Sequence, residues 1–470
     1  MSTEKESNSP RRSDTPNWKS ALALVSLALS LLLWLNGLVS SLQRPSVGDD
    51  LSRRQLELSV LAQGNLSEPI RPLLSSGDPL KTLQESLQNA INDSQEEGRN
   101  PPPGLLLEQA LLLQRTGDPS QAQTLLKQLS QEGGAQQAAI ATVLLNPEQH
   151  GRQSREQLLA ELKGSTLVRQ WSCEALLGPE ACPGDQVARQ ASVQLLAVTL
   201  VPGLGLLGGI ALLIRELWRR WRGKTPAAPP WLGPALSGID TVLLVAGGFV
   251  VVGELITPLL VAPLLTRLLQ DWPIEAVLKQ GISVVVLYGA LMTGPLLILR
   301  LLLKPLGPGP QGGWLQFRWS PLPLCFGQAL KGFLMVLPLV SLVGWLQGQL
   351  FGDPGGSNPL LELVLNGHNI PALACFGFTA IVLAPLFEET IFRGALLPVA
   401  ARYWGSGWGI VVSAAVFAVA HSSLGEFPPL MVLGLGLGWL RWRSGRLGSC
   451  VLMHALWNSL TFANLVVLGW

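Results

Sequence analysis

Glu388-Glu389-Thr390-Ile391-Phe392-Arg393 follows an apolar run, Pro371 to Phe387, long enough to lie in a bilayer. Ionisable side chains at that depth are costly and default to function. If the helix continues through them, Glu389 and Arg393 fall at i,i+4 on one face and neutralise each other, which lowers the cost of burying both. Glu388 then points about 100° away. A half-desolvated carboxylate left outside the ion pair suits general-base work near neutral pH. The other reading is a helix end at the lipid headgroups, where Glu and Arg are simply solvated.

The chain holds four histidines. His421 ends Phe417-Ala418-Val419-Ala420-His421 and His454 opens His454-Ala455-Leu456-Trp457-Asn458, both within apolar helical runs. In the first, i,i+4 spacing packs Phe417 one turn below the imidazole and holds its rotamer. In the second, two hydrogen-bonding heads share one face, a geometry able to grip a developing oxyanion. Either pair alone also serves as packing glue between helices. The ordered set of three is far more specific.

That set, EExxxR, then FxxxH, then HxxxN on successive hydrophobic segments, resembles the CPBP family, also called ABI. This family holds the type II CAAX prenyl proteases and bacteriocin-processing enzymes. The likeness covers about Pro371 to Trp470 and implies an intramembrane endopeptidase. By resemblance, Glu388 and His421 activate water, His454 and Asn458 stabilise the oxyanion, and Glu389, Arg393 and Phe417 support them. The expected substrate is a membrane-associated protein or peptide, lipidated in the CAAX-type reaction, and no cofactor is expected. A first alternative binds zinc through Glu388, His421 and His454, although the H-E-x-x-H helix of many zinc proteases is absent. A second is a non-enzymatic membrane receptor, transporter or immunity protein built around a buried polar network. Transporters commonly carry internal repeats, and none is visible here.

Of 470 residues, 48% are hydrophobic and 14% charged, which fits a polytopic membrane protein with a soluble portion. The balance of 33 basic to 31 acidic residues gives no nucleic-acid signature. Sixteen Trp against two Tyr, many flanking apolar runs, fit anchoring at membrane interfaces. The expected fold is all-α, a polytopic transmembrane helical bundle with an extramembrane α-helical domain near the N-terminus.

In chain order, residues 1–18 read as a disordered tail and 19–42 as an uncleaved transmembrane anchor, with a cleaved signal peptide as the alternative. Residues 43–190 read as a soluble helical domain, with helices at 104–116, 121–131, 136–146 and 154–163, able to bind a partner protein. Cys173 and Cys182 can pair as a disulfide if this domain faces an oxidising compartment. Residues 191–224 hold a second span and the strongest basic cluster, Arg215 to Lys224, and 225–235 form a Pro-rich linker. Residues 236–470 form the membrane bundle, with spans at 236–265, 281–303, 323–347, 371–400, 406–422, 429–441 and 448–468. The basic cluster marks the cytoplasmic side, which places 43–189 on the non-cytoplasmic face of a plasma membrane or an internal, thylakoid-like one. Asp240 and Glu254 are further acids within the third span. Cys325, Cys375 and Cys450 read as packing residues. One tension remains, because simple alternation separates His421 from His454 in depth and 429–441 is short for a crossing. A tilted or partly re-entrant 429–441 would bring them together.

Overall fold

Apolar runs of 20 residues or more can satisfy their backbone polar groups in lipid only as helices, and that is what these runs become. The computed structural model describes residues 17–44, 47–67, 77–96, 98, 100–162, 164–352 and 356–469, and among these the regular structure is entirely helical. The expected tail at 1–18 lies outside the described residues apart from Asn17 and Trp18, which open the first helix. In chain order the helices are α1 (Asn17–Ser41), α2 (Val47–Ala62), α3 (Pro79–Glu96), α4 (Pro103–Thr116), α5 (Pro119–Glu132), α6 (Ala135–Leu145), α7 (Arg152–Glu161) and α8 (Thr166–Leu177). There follow α9 (Gly184–Trp221), α10 (Gly238–Gln270), α11 (Ala276–Leu303), α12 (Leu322–Phe351) and the short α13 (Pro359–Leu365). The last four are α14 (370–404), α15 (406–420), α16 (Phe427–Ser444) and α17 (Leu447–Gly469). The break between α14 and α15 is Gly405, whose φ of 79° is a left-handed conformation that favours glycine. Among the described residues seven helical stretches are long and apolar enough to cross a membrane, and the protein is an integral multi-pass membrane protein.

The chain divides into two units. The unit that holds α2 to α8, called the soluble unit for those helices, comprises 45–208 together with 357–368 and 460–470, and so also takes in parts of the candidate spans α9 and α17. The last two segments were expected in the membrane bundle. Of these, 460–470 joins the unit through Leu468, which packs on the cluster of Leu58, Ala62, Leu66, Ala191 and Leu195. The main core of this unit gathers Leu83, Leu87, Leu107, Leu112, Leu126, Leu129, Ile140, Leu167 and Trp171. Leu83, Leu87 and Ile91 are spaced four apart, the stripe of an amphipathic helix, yet α3 was not anticipated because Gln and Asn fill its other face. Helix ends follow local chemistry. Asp118 caps α5 by accepting from Gln121 N–H at 3.1 Å, and Ser165 caps α8 by accepting from Val168 N–H at 3.2 Å. Cys173 and Cys182 form a disulfide between α8 and the turn before α9. Arg115 pairs with Glu174 and lies over the Trp171 ring, 4.9 Å from its centroid.

Two acids of this unit are buried together. Glu57 on α2 and Glu108 on α4 are each 4% exposed and hydrogen-bond one another. Burial pushes both carboxyls up, Glu108 further because the Glu57 charge adds to desolvation, while Arg53 and Arg54 oppose the shift. An acid raised in the folded state contributes stability that is full below its unfolded pKa of about 4.3 and is lost as pH rises through the folded value. Amide protection in α2 and α4, taken relative to the intrinsic exchange rate at each pH, is therefore expected to be higher near pH 5 than near pH 8, and Glu108→Gln should flatten that difference. Protection that rises with pH in the wild type would contradict the assignment.

The membrane unit comprises 17–44, 209–356 and 369–459 of the described chain. Lipid is as apolar as leucine, so its helices are held by close packing and interhelical hydrogen bonds. The core is aromatic around the motif helix, where Phe249, Phe387, Phe392 and Phe417 are at most 6% exposed. α15 and α16 approach closely at Gly434, where a Cβ would sit 2.9 Å from the Ala414 Cβ. α16 has 18 residues, a length of about 27 Å, and so outruns the expected span 429–441. Its apolar run understates it because the last turn carries charge. Arg441 is buried there and donates to the Leu232 carbonyl at 2.9 Å.

Candidate active site

The motif helix changes pitch on both sides of the acids. Thr379–Leu383 and Thr390–Leu396 are π-helical, and Ala384–Glu389 between them is α-helical. Such wide turns recur at functional sites. Side-chain donors reach carbonyls in both π-helical stretches. Ser413 Oγ donates to the Phe392 carbonyl at 3.0 Å. The π register would assign the Ala380 carbonyl to residue 385, a proline without an N–H, and Asn458 Nδ2 donates to it instead at 2.7 Å.

Glu389 and Arg393 are both fully buried, and Arg393 Nη1 donates to Glu389 Oε1 at 2.9 Å. The same oxygen takes His454 Nδ1 at 3.0 Å. Arg393 Nη2 continues to the Gly434 carbonyl at 3.3 Å, which ties α14 to α16. The Phe417 ring stands in the middle of this group. It lies 4.8 Å from the His421 ring, 5.7 Å from the His454 ring and 4.3 Å from the Arg393 guanidinium. Both imidazoles therefore flank one phenyl ring, and the depth separation suggested by alternation is absent.

Acceptors fix the ring protons. His421 Nδ1 lies 2.8 Å from the Phe417 carbonyl, which can only accept, so Nδ1 carries the proton and the neutral ring leaves a lone pair on Nε2. His454 Nδ1 faces a carboxylate and likewise donates. His454 can then act through Nε2 as an acceptor when neutral and as a donor when cationic.

Glu388 faces elsewhere. Its Oε1 accepts from Tyr288 Oη at 2.9 Å, and its Oε2 is buried without a protein partner. Glu254 is close enough to interact electrostatically with both Glu388 and Tyr288, and the buried Trp34 indole faces it. Tyr288 was missed by the sequence reading, where a lone tyrosine in an apolar run gives no spacing signal. Asp240 belongs to a helix start, accepting from Ser237 Oγ at 2.8 Å and pairing with Lys19 at 3.3 Å. Cys325 bonds Ser449 at 3.3 Å and Cys450 points at the Leu437 carbonyl, so both sit in the packing.

Residues 370–460 match the family model described as type II CAAX prenyl endopeptidase Rce1-like. This stretch is an Rce1-like domain. Rce1-like proteins are peptidases, hydrolases acting on peptide bonds, and every motif residue from Glu388 to Asn458 falls inside the match. Residues 48–193 match a domain of unknown function, DUF8675, which covers most of the soluble unit. An uncharacterised 24.3 kDa protein of Escherichia coli is 32% identical over 147 residues, 29% of this chain and 66% of that protein's length. No solved structure matches significantly. Tyr288, Glu254 and Trp34 all lie outside the Rce1-like stretch, on helices that pack against it. Among the described residues no three His, Cys, Asp or Glu side chains gather closely enough to hold a metal ion, the set Glu388, His421 and His454 included.

Proposed function

We propose that this protein is an intramembrane endopeptidase that hydrolyses membrane-associated or lipidated substrates with water activated by Glu388, without a metal. The observation that carries this reading is the free, buried Glu388 Oε2 beside an Oε1 already held by Tyr288. A water there gives its proton to Oε2 as its oxygen attacks the scissile carbonyl. His421, with its Nε2 lone pair, orients that water and relays the proton to the departing amine as the C–N bond breaks. His454 is held by Glu389 through Nδ1, which leaves Nε2 to face a developing oxyanion beside the Glu389–Arg393 pair. Asn458 spends one amide N–H on Ala380 and keeps its second for the same task. Donors of this kind typically contribute about 10²–10³ in rate each.

Purified protein in detergent is expected to keep its peptide hydrolysis after exhaustive chelation. Activity that vanishes on chelation and returns with stoichiometric zinc would instead establish the metalloprotease reading.

Sidedness follows the basic cluster Arg215 to Lys224, which places the soluble unit on the non-cytoplasmic face of a plasma or internal membrane, where its disulfide is stable and it can receive a partner protein. Protease added to the non-cytoplasmic side of sealed membranes should digest 45–183, which precedes the span α9. Protection from that side, with digestion from the cytoplasmic side, would reverse the topology.

A further inference from the structure

We infer that Tyr288, on a helix outside the Rce1-like domain, is a positioning residue that sets the orientation and the working pH range of Glu388. The inference rests on the reading of Glu388 as the base. Its first support is geometric. Tyr288 Oη pins one Glu388 oxygen at 2.9 Å and leaves the other free. The phenol is itself fixed, since its ring meets Phe387 edge-on at 6.3 Å and Phe387 packs on Phe249 at 5.7 Å.

The second support is isolation. Tyr288 Oη from α11 is the donor that meets Glu388. On the motif helix Glu389 is taken up by Arg393 and by His454 of α17, so that group offers Glu388 no substitute for the phenol. A hydrogen bond to a carboxylate favours its ionised form.

The test is the pH dependence of kcat for wild type and Tyr288→Phe, with Glu388→Gln alongside. Tyr288→Phe should move the acid limb to higher pH by about one unit, with about tenfold lower kcat at a fixed pH on that limb, because a hydrogen bond to a charged group is lost. KM should stay within about twofold. If the variant folds but turns over too slowly, infrared titration of the Glu388 carboxylate supplies the same displacement. An unmoved limb in Tyr288→Phe, with Glu388→Gln inactive, would overturn the inference and leave the proposed base intact. An active Glu388→Gln would overturn the base itself.

Discussion

Glu389→Gln is expected to destabilise the membrane unit by about 3–5 kcal/mol, the cost typical of removing one partner from a buried ion pair. The substitution keeps the volume and removes the charge that compensates a fully buried Arg393. It also replaces the carboxylate that receives His454 Nδ1 at 3.0 Å. Arg393 has further duties, since it reaches the Gly434 carbonyl at the close approach of α15 and α16. The loss should therefore show as a lower melting temperature in detergent and lower abundance in membranes. The double variant Glu389→Gln, Arg393→Met should recover much of that stability, because it removes the stranded cation and keeps an apolar side chain against Phe417. Equal turnover losses in Glu388→Gln and Glu389→Gln, with stability unchanged in both, would show instead that the two carboxylates act as a dyad.

Glu388→Gln is expected to behave in the opposite way. An amide fills the same space, and its oxygen still accepts from Tyr288 Oη, so folding should be nearly untouched. It cannot take a proton from water. Removing a general base typically costs about 10²–10⁴ in rate, and turnover should fall at least that far. The contrast between neighbouring glutamates follows from helix geometry, which puts one inside the ion pair and aims the other at Tyr288.

How far the sequence exposed this arrangement depended on range. Local patterns were legible: the apolar runs marked the spans, the i,i+4 spacing of Glu389 and Arg393 implied their pairing, and Phe417 sits one turn from His421. What joins distant positions was not. His454 reaches Glu389 across 65 residues and Tyr288 reaches Glu388 across 100, and one sequence carries no sign of either. Helix ends were misjudged where charge conceals an element, as in the last turn of α16, or where a polar face hides a stripe, as in α3. The span at 448–468 was legible as the helix Leu447–Gly469, whereas the packing of its Leu468 on Leu58, Ala62 and Leu195 is a distant contact that hydropathy cannot register. The one role the structure complicates is that of Asn458, whose first donor repairs a carbonyl left open by Pro385, a local need that the HxxxN spacing does not reveal.

The most direct measurement is a comparison of protein termini in membranes from cells carrying the wild-type chain and cells carrying Glu388→Gln at matched abundance. Wild-type membranes should contain new C-termini, with the released fragments, on a defined set of membrane-associated proteins, and the variant membranes should hold the same proteins uncut. Identical termini in the two, with the variant folded and present at wild-type level, would contradict a peptidase that depends on Glu388.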